Sequence, residues 1–301
     1  MTPHITILGT GAMAGLFGAR LAAVAEVSLV GTWAEGLAAI REHGILVEEA
    51  AGPLVARVQA AHLGDPIEPA DLVLVLVKAW QTERIAPHLT SLLTSSGVAL
   101  TLQNGIGNYE IIADAVGAAR AALGTTLQGA TLLGPGRVRE GGPGPVHLAD
   151  SPRLAPLVEL LRSARFEVHP SPASDLQSLV WGKLVVNCGI NALTALLRVP
   201  NGELLNRPDA TVLMERAALE CAQVAQAGHI HLPFADPLAR VREVAQRTAV
   251  NHSSMFQDIL RGAPTEIDAI NGAVARAGAR LGVSTPVNET LWRLVKALTP
   301  S

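Results

Sequence analysis

Cysteine is nearly missing from this chain. The two present, Cys188 and Cys221, are too few for a disulfide framework and lack the spacing of metal ligands. Charge is sparse too: Asp, Glu, Lys and Arg make up 16% of the 301 residues, and the formal net charge is -3. No basic run occurs, which argues against nucleic acid or a membrane surface as partner. No basic segment precedes the apolar start Ile5-Thr6-Ile7-Leu8-Gly9, so no signal peptide is expected. The most apolar run, Leu72 to Val77, is far short of the roughly 20 residues that span a bilayer. A soluble, cytoplasmic protein is expected. Of the scattered histidines, His229 and His231 lie two apart beside a Gly and a Pro and read as loop residues; no metal site is expected. What the chain has in quantity is apolar material, 49% of its residues, enough for a sizeable core and inconsistent with disorder.

Up to about residue 170, short β-branched runs alternate with helical stretches. Strands are expected at Ile5–Gly9, Val27–Gly31, Leu72–Val77 and Val98–Gln103, and helices over Met13–Ala25, Ala34–His43 and near Gln81–Leu93. Such alternation implies βαβ units and a mostly parallel sheet. Residues 124–149 are richer in Gly and Thr. Strands at Thr125–Leu133 and Val146–Leu148, separated by Gly134-Pro135-Gly136 and Gly141-Gly142-Pro143-Gly144-Pro145, suggest an antiparallel extension. From Ser174 onward strand signals nearly vanish and the chain turns alanine- and leucine-rich with helical periodicity, broken at Pro200, Pro208, Pro233, Pro264 and Pro286.

Gly9-Thr10-Gly11-Ala12-Met13-Ala14 follows the first strand and opens the first helix. Gly9 permits a tight turn, Gly11 leaves room for a pyrophosphate, and the helix N-terminus supplies amide donors. Ala14 takes the position where Gly or Ala allows close helix–strand packing. The motif is weak alone, but its place inside a βαβ unit is the confirming context. The fold class is therefore α/β: a Rossmann-type dinucleotide-binding domain over residues 1–173, then an all-α domain over 174–301. The cofactor's 2′ position is normally read at the end of the second strand, where this chain has Gly31-Thr32-Trp33, with neither the Asp or Glu that suits NAD nor the Arg that suits NADP. Thr32 could bond either cofactor, and Arg41 could approach from the next helix; both cofactors stay open.

Trp181 to Leu197 is almost wholly apolar, except that Lys183, Asn187, Asn191 and Thr194 recur at spacings of four, four and three and so share one helix face. Burying unpartnered amides or an ammonium is costly, about 1–3 kcal/mol or more per group. The stripe is either an internal hydrogen-bond network or the wall of a polar substrate site. Lysine occurs only at Lys78, Lys183 and Lys296. Unlike arginine, a lysine readily shifts its pKa, which makes Lys183 a candidate general acid. Lys78 ends the Leu72–Val77 strand, at the carboxyl edge where ligands of open α/β sheets bind. Lys296 reads as a solvated helix charge. Asn251-His252-Ser253-Ser254 precedes a short helix containing Asp258. Pro264-Thr265-Glu266-Ile267-Asp268 is expected to open a long helix, with Glu266 in a first turn that favours a carboxylate in any case. Asn104-Gly105 is a plain turn signal, again at a strand's carboxyl end.

In this order, Gly9–Ala14, Lys78, Gln103-Asn104-Gly105, Lys183 with Asn187 and Asn191, Pro200-Asn201-Gly202, Asn251 to Ser254, and Pro264 to Asp268 resemble the ketopantoate reductase (2-dehydropantoate 2-reductase) family over essentially the whole chain. The resemblance implies a Rossmann domain followed by a helical one, with the active site in the cleft between them. It implies hydride transfer from NADPH to the C2 carbonyl of ketopantoate, giving pantoate for pantothenate and coenzyme A synthesis. By the same resemblance Lys183 is the general acid and Glu266 its partner, reaching the reacting hydroxyl or the cofactor ribose. Asn104 touches cofactor and substrate, and Asn187, Asn191, Asn201, Asn251 and Ser254 hold the substrate's hydroxyl and carboxylate. Lys78 and the backbone near Ala130 contact the cofactor. Members of the family typically carry an Arg where this chain has Thr32-Trp33, so NADH is admitted beside NADPH, and so is another small 2-oxo acid. A silent NAD(P)-binding regulator would have no reason to keep Lys183, the asparagine stripe and Glu266 together. The alanine-rich helical half has surface for a homodimer, though nothing in the sequence requires one.

Overall fold

Strands covered on both faces are predominantly apolar, and the first two, His4–Leu8 and Glu26–Gly31, are buried along most of their length, Thr6 and Ser28 included. Within residues 3–298, which the computed structural model describes, β1 (His4–Leu8), α1 (Ala12–Leu21), β2 (Glu26–Gly31) and α2 (Ala34–His43) follow in close succession. β1 runs parallel to β2, Ile5 opposite Val27 and Leu8 opposite Val30. Next come β3 (Ile45–Glu49), β4 (Gly52–Ala56), β5 (Gln59–His62) and β6 (Ala70–Val75), the last pairing with the other side of β1. The single helix expected near Gln81–Leu93 is instead a chain of short turns, with α3 (Thr82–Ile85) and α4 (Leu89–Leu92) separated by a 3-10 turn at Ala86–His88. Pro87 lies in that turn, where its ring removes a backbone donor.

β7 (Leu93–Thr101), α5 (Asn108–Val116), β8 (Ala121–Thr126), β9 (Gly129–Gly134), β10 (Arg137–Gly142), β11 (Val146–Ala149), α6 (Ala155–Ser163) and β12 (Val168–Ser171) complete this half. The main sheet has the order β12-β11-β8-β7-β6-β1-β2-β5, with β11 antiparallel to β8. Read as β5-β2-β1-β6-β7-β8, its parallel part is the Rossmann arrangement, in which strand order reverses between β1 and β6. One strand expected at Thr125–Leu133 is two: β8 belongs to the main sheet, whereas β9 belongs to a second sheet, β4-β3-β10-β9. The chain changes sheets at Leu127-Gln128, where Gln128 Oε1 accepts Gly144 N–H at 2.6 Å. α1 packs against β3, β9 and β10 of that second sheet, and added methyl groups at Gly15 and Gly18 would fall 2.6 and 2.9 Å from Val138 and Leu29 side-chain carbons.

The helical half consists of α7 (Ala173–Leu197), α8 (Pro208–Ala227), α9 (Pro237–Arg247), α10 (Ser254–Leu260), α11 (Asn271–Leu281) and α12 (Pro286–Leu298). Pro208, Pro237 and Pro286 start their helices where a missing N–H costs nothing. Asp236 caps α9 by accepting the Leu238 and Ala239 amides. The core gathers around Leu184, Val185, Met214, Ala218, Val241, Val274 and Val295. Among the described residues α7 alone is long and apolar enough to cross a bilayer; most of it is buried, and it serves as the core helix of this half. Two compact units result: one holds residues up to Gln103 and Asn108–Leu176, the other Asn104–Gly107 and Gln177 onward.

Candidate active site

The glycine loop sits at the carboxyl end of β1. Gly9 adopts φ +133°, and a methyl group there would lie 3.0 Å from the Leu76 carbonyl, so only glycine fits the turn without strain. Gly11 stands at the N-cap of α1 with no side-chain cap, and a methyl group added to it would meet no protein atom within 4 Å. Beyond it, Ala12 and Met13 are half-buried and Ala14 fully buried against the sheet. Uncapped amides at a helix N-terminus, approached over a bare glycine, fit a dinucleotide pyrophosphate. Thr10 is buried beside Gly31, whose added methyl would lie 2.9 Å from Thr10 Cγ2. Thr32, half-buried, comes directly after β2.

Lys78 follows β6, half-buried, with its backbone N–H directed to Gln81 Oε1 at 3.3 Å. Gln103, just past β7, donates through Nε2 to the Val77 carbonyl and to Thr82 Oγ1, both at 2.9 Å. It therefore laces together the carboxyl ends of β6 and β7 and supports the segment that carries Lys78, a part its place in the Gln103-Asn104-Gly105 run alone did not disclose. Ala130 lies in β9, half-buried in the sheet that packs on α1.

In the helical unit, Lys183 is half-buried on α7. Burial pushes its ammonium down from 10.5 to about 8, and the nearby Glu266 carboxylate opposes that shift. Glu266 itself is buried, with 5% of its surface exposed. Contrary to expectation it does not stand in a helix: the Pro264–Ile270 segment is a run of turns, and α11 starts only at Asn271. The macrodipole account of this carboxylate therefore falls away. Its Oε2 accepts a hydrogen bond from Asn104 Nδ2 at 3.1 Å. Gly105, at φ +81°, allows the approach, since a methyl group there would sit 2.3 Å from the Ala269 carbonyl. Residues 104–107 are thus built into the helical unit beside Glu266.

Asn187 (half-buried) and Asn191 (buried) continue the Lys183 face of α7, one and two turns on. Thr194 is different. Its hydroxyl is wholly buried and bonds Ser253 Oγ at 2.7 Å, and Ser253 in turn accepts the Phe256 amide as N-cap of α10. The stripe therefore ends in a structural bond. Ser254, at the start of α10, is half-buried, so the cap belongs to its neighbour. Asn201 donates to Thr248 Oγ1 at 2.8 Å, while its backbone N–H bonds the Asn251 carbonyl at 2.9 Å. Asn201 Oδ1 is buried and unpartnered among the described residues. Asn251 is exposed. Asp258, on the short helix that follows Asn251–Ser254, is 1% exposed and accepts from Arg261 Nη2 at 2.7 Å, and its carbonyl accepts the Ala263 amide, fixing the turn that leads to Glu266. The only sequence signal was an acid and an arginine three apart on one short helix.

Residues 5–153 match the family model described as Ketopantoate reductase PanE/ApbA, and residues 175–299 match that of its C-terminal part. A 2-dehydropantoate 2-reductase from Halobacterium salinarum is 36% identical over 97% of this chain and 98% of its own length. One from Vibrio cholerae is 33% identical, covering 99% and 98%. Among solved structures, a ternary complex of D-mandelate dehydrogenase with NADH and anilino(oxo)acetate superposes with a TM-score of 0.91 at 31% identity, covering 98% of each chain. A PanE/ApbA family ketopantoate reductase from Ralstonia eutropha JMP134 does so with a TM-score of 0.91 at 30% identity, again over 98% of each chain.

Proposed function

The chain belongs to the ketopantoate reductase family and is an NAD(P)-dependent oxidoreductase, and we propose that it reduces the C2 carbonyl of 2-dehydropantoate to pantoate. Pantoate would serve pantothenate and coenzyme A synthesis, in the cytoplasm. The observation that carries this reading is the Lys183 ammonium, lowered to about 8 by burial and faced by a Glu266 carboxylate that Asn104 holds. A carbonyl oxygen that gains a hydride at its carbon becomes an alkoxide and needs a proton donor already in place.

The glycine loop Gly9–Ala14, with Thr32, Lys78, the backbone near Ala130, Asn104 and Glu266, would hold the reduced nicotinamide dinucleotide, which supplies the hydride when bound. Lys183 gives its proton to the substrate's C2 oxygen, and the neutral amine then regains a proton from solvent. Glu266 keeps the ammonium charged enough to act near neutral pH, and Asn104 holds Glu266 in position. Asn187, Asn191, Asn201, Asn251 and Ser254 bind the substrate's carboxylate and hydroxyl. Asn201 Oδ1, a buried acceptor with no donor among the described residues, suits a hydroxylated substrate.

A second reading has one observation in its favour. The likeness to D-mandelate dehydrogenase supports reduction of an aryl 2-oxo acid by the same Lys183 and Glu266. The two readings part on the substrate hydroxyl, which ketopantoate has and phenylglyoxylate lacks. Steady-state oxidation of reduced nicotinamide with each acid decides between them. Higher kcat/KM with ketopantoate is the expected result; turnover of phenylglyoxylate alone would replace it with the aryl reading.

A further inference from the structure

The adenosine end of the glycine-loop site has its own chemistry, set by the residues at the carboxyl end of β2. Trp33, at the N-cap of α2, lies flat on that helix's first turn: a methyl group added to Gly36 would sit 2.3 Å from ring carbon Cε3 and 2.8 Å from Cδ2. Only glycine at 36 lets the ring lie there. The same turn carries Glu35, an exposed carboxylate that already occupies the favourable electrostatic position at the helix N-terminus. Between Arg20 and Arg41 the chain has no Lys or Arg. Arg20 is committed to Glu49 and Glu140 at 2.8 and 2.7 Å. Arg41 stands in the last turn of α2, its backbone about 12 Å along the helix from Trp33, and its Nε donates at 2.8 Å to the carbonyl of Ala60, which lies opposite Leu29, short of the strand end at Gly31. Arg57 likewise bonds the Glu42 carbonyl, at that far end of the helix.

The adjoining strand adds no fixed cation. β5 sets His62 opposite Gly31, with its ring Nδ1 on the Leu63 carbonyl, and its backbone N–H is taken by Asp65 Oδ2 at 2.9 Å. The strand end therefore offers neutral hydroxyls, Thr10 and Thr32, between two carboxylates, Glu35 and Asp65. A phosphate dianion brought there would lose hydration without gaining a guanidinium or ammonium partner. A ribose diol asks only for neutral hydrogen bonds.

We infer that Thr32, Trp33 and Glu35 make this chain select the dinucleotide with a free ribose 2′-hydroxyl over the 2′-phosphorylated form. The inference rests on the proposal that the glycine loop holds a nicotinamide dinucleotide. The test is equilibrium binding, without turnover. The purified protein is titrated calorimetrically with NADH, NADPH, 5′-AMP and adenosine 2′,5′-bisphosphate, and Thr32→Arg is run beside it. NADH and 5′-AMP are expected to bind roughly tenfold or more tightly than their 2′-phosphorylated counterparts, a difference of about 1.4 kcal/mol. Thr32→Arg is expected to narrow or reverse that order by strengthening the phosphorylated ligands. Equal or tighter binding of NADPH by the unaltered protein would overturn the inference and leave the reductase reading standing. Binding of neither dinucleotide would overturn both.

Discussion

Asn104 donates to Glu266 at 3.1 Å across 162 positions of sequence, and Glu266 in turn faces Lys183. The bond lies within the helical unit, of which residues 104–107 are a part, and it holds a carboxylate that offsets the desolvation of the lysine. Removing that charge should have a defined consequence. In Glu266→Gln the lysine loses the carboxylate that favours its charged form, so its pKa falls further below about 8. Since carbonyl reduction uses the ammonium, the alkaline limb of kcat/KM should move to lower pH than in the unaltered enzyme. A limb that stays in place or moves up would show that Glu266 does not tune Lys183.

The same lysine makes stability depend on pH. Its folded pKa of about 8 lies below the ordinary 10.5, so between those values the unfolded chain binds more protons. Stability held back by the buried ammonium below pH 8 should therefore be recovered as pH rises toward 10.5. Lys183→Met removes the penalty at every pH, and its urea midpoint should exceed that of the unaltered protein at pH 7 and converge with it toward pH 10. A variant less stable at pH 7 would contradict the assignment of burial as the main cause.

Gly9 and Gly11 are both glycines of one motif, yet they should fail differently. Gly9→Ala places a side chain at φ +133° against the Leu76 carbonyl, and should cost about 1–3 kcal/mol of stability. At Gly11 an added Cβ meets no protein atom within 4 Å, so in Gly11→Val thermal unfolding should barely change while dinucleotide binding is lost. Unimpaired binding by Gly11→Val would remove Gly11 from the cofactor site.

The polar stripe of α7 divides in two. Thr194→Val breaks the bond to Ser253, the N-cap of α10, and should lower stability by about 1–2 kcal/mol with KM nearly unchanged. Asn191→Ala should do the reverse, raising KM for the 2-oxo acid more than it lowers stability. Denaturant midpoints and KM measured on both variants separate structural from binding members of the face.

How much of the molecule is legible in the sequence depends on how far each residue's neighbours lie along the chain. β1, α1, β2 and α2 can be read because each is a clean periodic segment joined to the next by a short turn. β3, β4 and β5 cannot, since Glu48, Glu49, Gly52 and Pro53 interrupt any apolar run, and while β4 pairs locally with β3, β3 and β5 are held by distant β10 and by β2. β8 and β9 look like one strand because nothing local marks that Leu127-Gln128 changes sheets. Lys183 stands out through scarcity and spacing, and Asn104 and Glu266 as residues of the family pattern. That Glu266 lies in a turn, and that Thr194 serves a cap, depends on partners 162 and 59 positions away, Asn104 and Ser253.

Lys183 is proposed as the proton donor in reduction of a 2-oxo acid, and the glycine loop as the anchor of the dinucleotide. The most direct test is Lys183→Ala, with dinucleotide affinity measured by titration and oxidation of the reduced cofactor followed with ketopantoate. Retained cofactor binding with turnover reduced roughly 10²–10⁴-fold is the predicted result. Turnover close to that of the unaltered protein would contradict the claim.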